Sequence, residues 1–336
     1  VFSENNPPLF SQDPDRPFHF EFAPMEIGPD RKARRIGDFP EAETRRHVSA
    51  NRPFWAPGVY FHEKDQTYYL YYCCSVFGER NSFIGCAKSK ALDRGWIDCG
   101  LLVLTWKGDG RGFNAIDPVV TTDANGDPWM AYGSFFGGIA ILRLDPDDPS
   151  KLLEPGTFGT TIACRDAYET LPEGEAKAAA RLAMRDHERT AYGQEGASLL
   201  WNPDTGFYYL FLGFDNLTWS YHTRVGRSKS IDGPYFDRNG NPLVYHQEAA
   251  GRDGVHGTKL VGPYLWTEAD AGWMGLGHST VFRDKHGNIL FGSNAKWDSG
   301  TSYLFLRKTL WGDDGWPLLS PCVYAGEDVA ESLRGP

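Results

Sequence analysis

The sequence predicts an all-β protein, a five-bladed β-propeller carrying one short helical insertion, and three observations predict it. Aromatic residues are heavily used, with 11 Trp, 16 Tyr and 21 Phe beside 38 Gly and 22 Pro in 336 residues. Strand-forming aromatics punctuated by turn formers read as many short strands and tight turns. A strand signature returns four times, as TYYLYYCCS (67–75), PWMAYGSF (128–135), GFYYLFLGF (206–214) and NILFGSNA (288–295). Spacing is the third observation: the starts of these segments lie 61, 78 and 82 residues apart.

Each segment follows a polar turn, EKDQ, DANGD, NPDT and RDKHG in order. Each alternates in the way of strands in sheets stacked face to face. A second element, IGCAKSKALDRGWIDCG at 84–100, returns as VGRSKSIDGPYFDRNG at 225–240, 141 residues later. Units of about 60–80 residues suggest radially stacked four-stranded sheets, and the length then holds about five. A β-sandwich or barrel of this composition needs no unit repeated four times, so the propeller is preferred. Residues 171–190, LPEGEAKAAARLAMRDHERT, break the pattern. Rich in Ala, Glu, Lys and Arg, they predict a helix inserted between two blades, either surface decoration or the wall of a site. Residues 1–336 are expected to form a single domain.

With 41% apolar and 23% charged residues the chain can bury a sizeable core. A net charge of −10 without a basic stripe argues against nucleic acid or an anionic membrane as partner. No run approaches the ~18 apolar residues of a membrane-spanning helix. Residues 1–8 have neither a charged nor an apolar leader region, so no signal peptide is expected here; a mature secreted form would look the same. The six cysteines lack metal-ligand spacing, and adjacent Cys73 and Cys74 in an aromatic strand read as packing residues. Asn216-Leu217-Thr218 is one glycosylation sequon, weak support for secretion.

Common catalytic signatures fail. There is no HExxH, and GHSTV (277–281) misses the nucleophile elbow at its last position. GDGRG (108–112) has neither P-loop nor dinucleotide context. Carboxylates in aromatic surroundings remain. NAIDP (114–118) sets Asp117 before a strand, and QEGA (194–197) sets Glu195 before the apolar run SLLW. Both are expected at the start of inner strands, whose side chains point toward a propeller's central funnel. Carboxylates gathered there can divide acid, base and supporting roles, as glycoside hydrolysis requires. Asp-Pro also occurs at Asp13, Asp127, Asp145 and Asp148, where the dipeptide by itself is mostly turn chemistry.

In these segments the sequence resembles glycoside hydrolase family 43, in its arabinanase-like branch. NAIDP followed by YGSFFGGI (132–139) matches that branch's aspartate motif. EGASLLW (195–201) followed by YYLFLGFD (208–215) resembles its glutamate motif and the next inner strand. VGRSKSIDGPY (225–235), GLGHSTVF (275–282) and WGDDGWPLLSP (311–321) continue in the same order. FWAPGVYF (54–61) with YYLYYCCSVFG (68–78) fits the second blade.

The resemblance implies a five-bladed catalytic domain that cleaves α-1,5-linked arabinan with inversion; no organic cofactor is expected, and a secreted monomer is. Glu195 is the implied general acid, and Asp117 the aspartate that orients it and tunes its pKa. Asp13, in QDP at 12–14, is the implied general base, with Asp15 and Asp38 as alternatives because the strand FHFEF follows earlier than in the family. Phe54, Trp55, Ser134, Phe135 and Phe136 fall where the family lines its funnel, and aromatic faces suit the apolar C–H faces of sugars. Arg307 aligns with an arginine that reaches a sugar hydroxyl. His278 matches the histidine that holds a cation or waters at the propeller axis, so a structural calcium or other cation is implied there. Gly58 departs from the family's aspartate after Trp-Ala-Pro. An exo-acting α-L-arabinofuranosidase or β-xylosidase is the enzymatic alternative. A catalytically inactive glycan-binding propeller is the alternative of another class.

Overall fold

The computed structural model describes residues 54–75, 80–106, 112–165, 167, 173–175, 177–178, 193–217, 220–246, 255–266, 271–297 and 302–324, with two short strands at 25–27 and 33–35. Contacts group the chain into two units, Val1–Thr161 with Ala178–Arg189, and Ile162–Lys177 with Thr190–Pro336.

In the first unit, β1 (Met25–Ile27) and β2 (Ala33–Arg35) pair antiparallel. Strands β3 (Phe54–His62), β4 (Thr67–Cys74), β5 (Asn81–Ser89) and β6 (Ile97–Trp106) follow as a four-stranded meander. A second meander comprises β7 (Val119–Thr122), β8 (Pro128–Tyr132), β9 (Ile139–Arg143) and β10 (Thr160–Ala163). Strand β4 shows why the aromatic run folds this way, because alternate residues of a strand face opposite sides. Tyr69, Tyr71 and Cys73 enter one core with Ile84, Cys86 and Val103 and with Met130 and Tyr132 of the next sheet. Leu70, Tyr72 and Cys74 enter another with Phe83, Trp96 and Leu104. Both faces are buried, so the strand reads as one continuous apolar run. The phenols still find partners: Tyr71 donates to the Pro149 carbonyl and Tyr72 to Asp98, each at 2.9 Å.

The second unit repeats the plan. Strands β11 (Gln194–Asn202), β12 (Phe207–Phe214), β13 (His222–Ser228) and β14 (Thr258–Val261) form a meander. A last sheet holds β15 (Tyr264–Trp266), β16 (Ala271–Met274), β17 (Thr280–Arg283), β18 (Ile289–Trp297), β19 (Ser302–Trp311) and β20 (Pro317–Leu319). Strands β16 and β17 pair in succession with β18, at Trp273↔Trp297 and at Thr280↔Gly292. Tyr209, Phe211 and Val225 pack there with Val281, Phe291, Phe305 and Trp316. The protein is all-β, built of the sequential antiparallel meanders of a β-propeller, with four large sheets among the described residues.

Three of the four sequence-read strands lie where expected, as β4, β12 and β18. The fourth is shorter: β8 stops at Tyr132 and GSF leaves the sheet. Gly133 turns to φ +130°, and a Cβ there would lie 2.2 Å from the Gly138 carbonyl. The element at 84–100 becomes the hairpin β5–β6, whereas its counterpart supplies β13 and then a single bridge from Arg227 to Phe236. Of the helical insertion expected at 171–190, only 173–175 and 177–178 fall within the described residues, where Lys177 meets Glu173 at 2.7 Å. All six cysteines are thiols outside any disulfide, with Cys73, Cys74, Cys86 and Cys164 buried.

Candidate active site

In the first unit, Asp117 sits on a stretch without secondary structure just before β7. The stretch is tied down by backbone: Ala115 N–H donates to Thr105 Oγ1 at 2.9 Å, and Gly133 N–H to the Ile116 carbonyl at 2.9 Å. Asn114 accepts from Ser82 Oγ at 2.6 Å, and Ser82 is paired with Ser75 at the same distance. Phe113, Ala115 and Ile116 anchor the segment in the core. Asp117 itself is 6% exposed and adopts φ +56°, a left-handed conformation that Asp tolerates better than most residues. Beside it lies Cys73, whose thiol burial and the Asp117 charge push well above its ordinary pKa. Cys73 Sγ donates to the Trp55 carbonyl at 3.0 Å. A Cβ on Gly58 would lie 2.3 Å from the Pro118 carbonyl oxygen, so β3 and the Asp117 corner meet backbone to backbone.

The residues assigned to sugar binding by resemblance divide by burial. Phe54, Trp55 and Phe135 keep some exposed surface, while Ser134 and Phe136 are buried. Phe54 packs edge-on against Tyr72, ring centroids 5.7 Å apart. Phe135 and Phe136 both have positive φ, +51° and +41°, in a turn closed by Gly138 N–H to the Phe135 carbonyl at 2.7 Å. Two consecutive bulky residues in that region mark stored strain, which gathers at functional sites.

In the second unit, Glu195 is the second residue of β11, paired with Gly213 of β12 and 8% exposed. A bulge follows between Glu195 and Ser198, with Gly196 at φ +57°. A Cβ on Gly196 would sit 2.7 Å from both Cα and Cγ of His278, so the histidine backs the bulge directly. His278 is exposed, with φ +48°, and its loop is pinned by Thr223 Oγ1 to the Leu276 carbonyl (2.9 Å) and Ser293 Oγ to the Gly277 carbonyl (2.8 Å). Tyr221, 3% exposed, fills the Cβ positions of Gly213 and Gly277. Gln194 is 2% exposed, and neither atom of its amide has a hydrogen-bond partner among the described residues. Arg307 is 7% exposed, on β19, with its guanidinium 4.4 Å from the Phe305 ring.

Asp13, Asp15 and Asp38 lie outside the described residues. Among the described residues no group of three or more His, Cys, Asp or Glu could hold a metal ion. Among the described residues, His278 therefore belongs to no side-chain cage for a cation. Sequence reading missed the close approach of Gly58 to Pro118, the Tyr221 wedge, and the Arg165–Asp215 pair beside β11. Gly58, standing where the resemblance leads one to expect an aspartate, is a visible signal of the first; the other two leave no local sequence signal.

The family model of glycosyl hydrolases family 43 matches residues 34–317. An extracellular endo-α-(1→5)-L-arabinanase of Thermotoga petrophila is 31% identical over 314 residues, covering 86% of this chain and 61% of that protein. An extracellular exo-α-(1→5)-L-arabinofuranosidase of Cellvibrio japonicus is 29% identical, covering 84% of this chain and 75% of its own length. The solved structure of Cellvibrio cellulosa α-L-arabinanase complexed with arabinohexaose aligns with TM-score 0.64 at 27% identity, over 85% of this chain and 82% of that one. The chain thus spans about three fifths of the Thermotoga relative's length.

Proposed function

This chain belongs to glycosyl hydrolase family 43, and from that premise we propose that it is an inverting endo-hydrolase of α-1,5-linked arabinan. The observation that carries the reading is the pair of carboxylates set at left-handed turns of the backbone, Asp117 at φ +56° and Glu195 ahead of Gly196 at +57°. They stand at the motif positions by which the sequence resembles the arabinanases. The likeness to an endo-arabinanase and to an arabinanase solved with arabinohexaose supports the substrate class.

Glu195 protonates the leaving glycosidic oxygen as the bond breaks. Asp117 is the supporting carboxylate that the family pattern pairs with that acid. Asp13 takes a proton from the water attacking the opposite face of the ring, which inverts the anomeric carbon. Trp55 and Phe135 offer sugar-facing surface, supported by Phe54, Ser134, Phe136 and Arg307. The same reading makes the chain one five-bladed catalytic domain without an organic cofactor, extracellular like its relatives and monomeric, with any axial cation near His278.

The test is a proton NMR time course on linear 1,5-arabinan. Early reducing ends of inverted configuration are expected, and retained configuration or no new ends would sink the proposal. The exo-acting Cellvibrio relative favours a second reading, which single arabinose units as first products would establish over oligosaccharides.

A further inference from the structure

Seven non-glycine residues among those described have positive φ: Ala56, Gln66, Asp117, Phe135, Phe136, Asp215 and His278. Gln66 is in the tight β3–β4 turn and Ala56 is in the bulge of β3. Asp117, Phe135, Phe136 and His278 belong to the corners described above. Asp215, at φ +70°, has no such place.

It follows β12 directly, just beyond Gly213 and Phe214, which pair with Glu195 and Gln194. Its N–H donates to the Gly193 carbonyl at 3.3 Å. Its Oδ1 accepts from Arg165 Nη1 at 2.8 Å, and the same Nη1 donates to the Gly193 carbonyl at 3.3 Å. One carbonyl, two residues before Glu195, is therefore held by both members of an ion pair. The Arg165 side chain is 4% exposed, and its guanidinium lies 5.3 Å from the Phe214 ring.

The surrounding groups leave Asp215 little freedom. His222 stacks on Phe214, places Nδ1 2.9 Å from the Ser220 carbonyl, and accepts from Arg224 Nε on Nε2 at 2.9 Å. That arrangement fixes a neutral ring with its proton on Nδ1, 3.6 Å from Asp215 Oδ2. Arg224 is committed in turn to the Val255 and Gly257 carbonyls. The Asp215 side chain is 38% exposed while Arg165 is buried, so the pair is a weak source of stability; its best use is to fix one geometry.

We propose that Arg165 and Asp215 form a latch that sets the start of β11 and so positions Glu195, an inference that rests on Glu195 being the general acid. Both are positioning residues. A displacement on the order of 1 Å at a reacting group can cost roughly 10²-fold in rate.

The experiment compares D215N, R165K and D215E with wild type on two substrates. One is an arabino-oligosaccharide; the other is an arabino-oligosaccharide with a dinitrophenolate leaving group, which departs without a proton. For D215N, kcat on the first should fall about 10–100-fold, with KM within about twofold. On the second substrate the loss should be much smaller, and D215E should recover part of it. Folded D215N with wild-type kcat, or with equal losses on both substrates, overturns the latch. If circular dichroism shows D215N unfolded, R165K decides by the same ratio, because it keeps the charge and loses the fork. E195Q indistinguishable from wild type, or a wild type that releases no reducing ends, overturns the functional reading and the latch with it. A normal E195Q defect beside unaffected latch variants overturns the latch alone.

Discussion

Asp117 carries its own backbone strain at φ +56°, in a segment held by hydrogen bonds to Thr105 and from Ser82 and Gly133, whereas Glu195 lies in a paired strand and leaves the positive φ to Gly196 at +57° and His278 at +48°. At position 117 one residue must supply both a charge and a left-handed turn, and Asp is among the few that tolerate the turn. At 195 the chemistry and the backbone demands are separated. Glutamate can stay extended because the glycine after it accepts the bulge against His278. The two corners should therefore answer differently to the same substitutions.

The largest effect is expected from neutralising the carboxyl groups. E195Q should lower kcat on arabinan by about 10²–10⁴-fold, the usual contribution of a general acid, and D117N should fall in the same range. Their alanine variants sharpen the comparison. D117A should lose about 1–2 kcal/mol of stability beyond D117N, because Ala resists positive φ while Asn accepts it. E195A should show no such gap from E195Q. Thermal melts and initial rates measure both, and equal melting of D117A and D117N would break the contrast.

Glycine substitutions probe the supports one step away. A Cβ at 196 meets His278 at 2.7 Å and requires φ +57°; at 58 it meets the Pro118 carbonyl at 2.3 Å with no positive φ; at 206 it has φ +64° and only Lys229 Nζ at 3.4 Å. Crowding costs about 1–3 kcal/mol and the backbone conformation about 1–2 kcal/mol. G196A should thus destabilise most, and G58A and G206A less. Only G58A and G196A should also depress kcat, since each displaces a carboxylate-bearing segment. Denaturant midpoints with kcat separate the three, and a G206A protein as slow as G58A would show that strain alone, not crowding, governs rate.

Much of this was legible in the sequence. Segment 67–75 reads as a strand because its run of Tyr and Cys is strand-forming throughout and bounded by a polar turn, and alternate residues fill two cores. NAIDP and EGA stand out because a turn-forming Asp-Pro and a Glu-Gly bulge leave local signatures. PWMAYGSF was overread, because propensity does not register that Gly133 must pass within van der Waals reach of Gly138. The Arg165–Asp215 pair spans 50 residues of sequence and Gly58–Pro118 joins two different sheets. Such contacts depend on sheet stacking, which no local pattern encodes.

The smallest effect, and the one whose sign is least intuitive, concerns two buried amides. Asn114 is 4% exposed and accepts from Ser82, which is itself paired with Ser75. Gln194 is 2% exposed, and its amide makes no hydrogen bond among the described residues. Removing a bonded partner leaves the other buried group unsatisfied and costs about 1–3 kcal/mol, whereas exchanging an unbonded buried amide for an apolar side chain of similar shape is neutral or stabilising. N114A should therefore lower the denaturant midpoint, and Q194M should leave it unchanged or raise it. Only N114A should lower the midpoint if the corners are held as described. A Q194M protein destabilised as much as N114A would mean that Gln194 is bonded through an ordered water, and that the Glu195 corner, like the Asp117 corner, rests on a polar network.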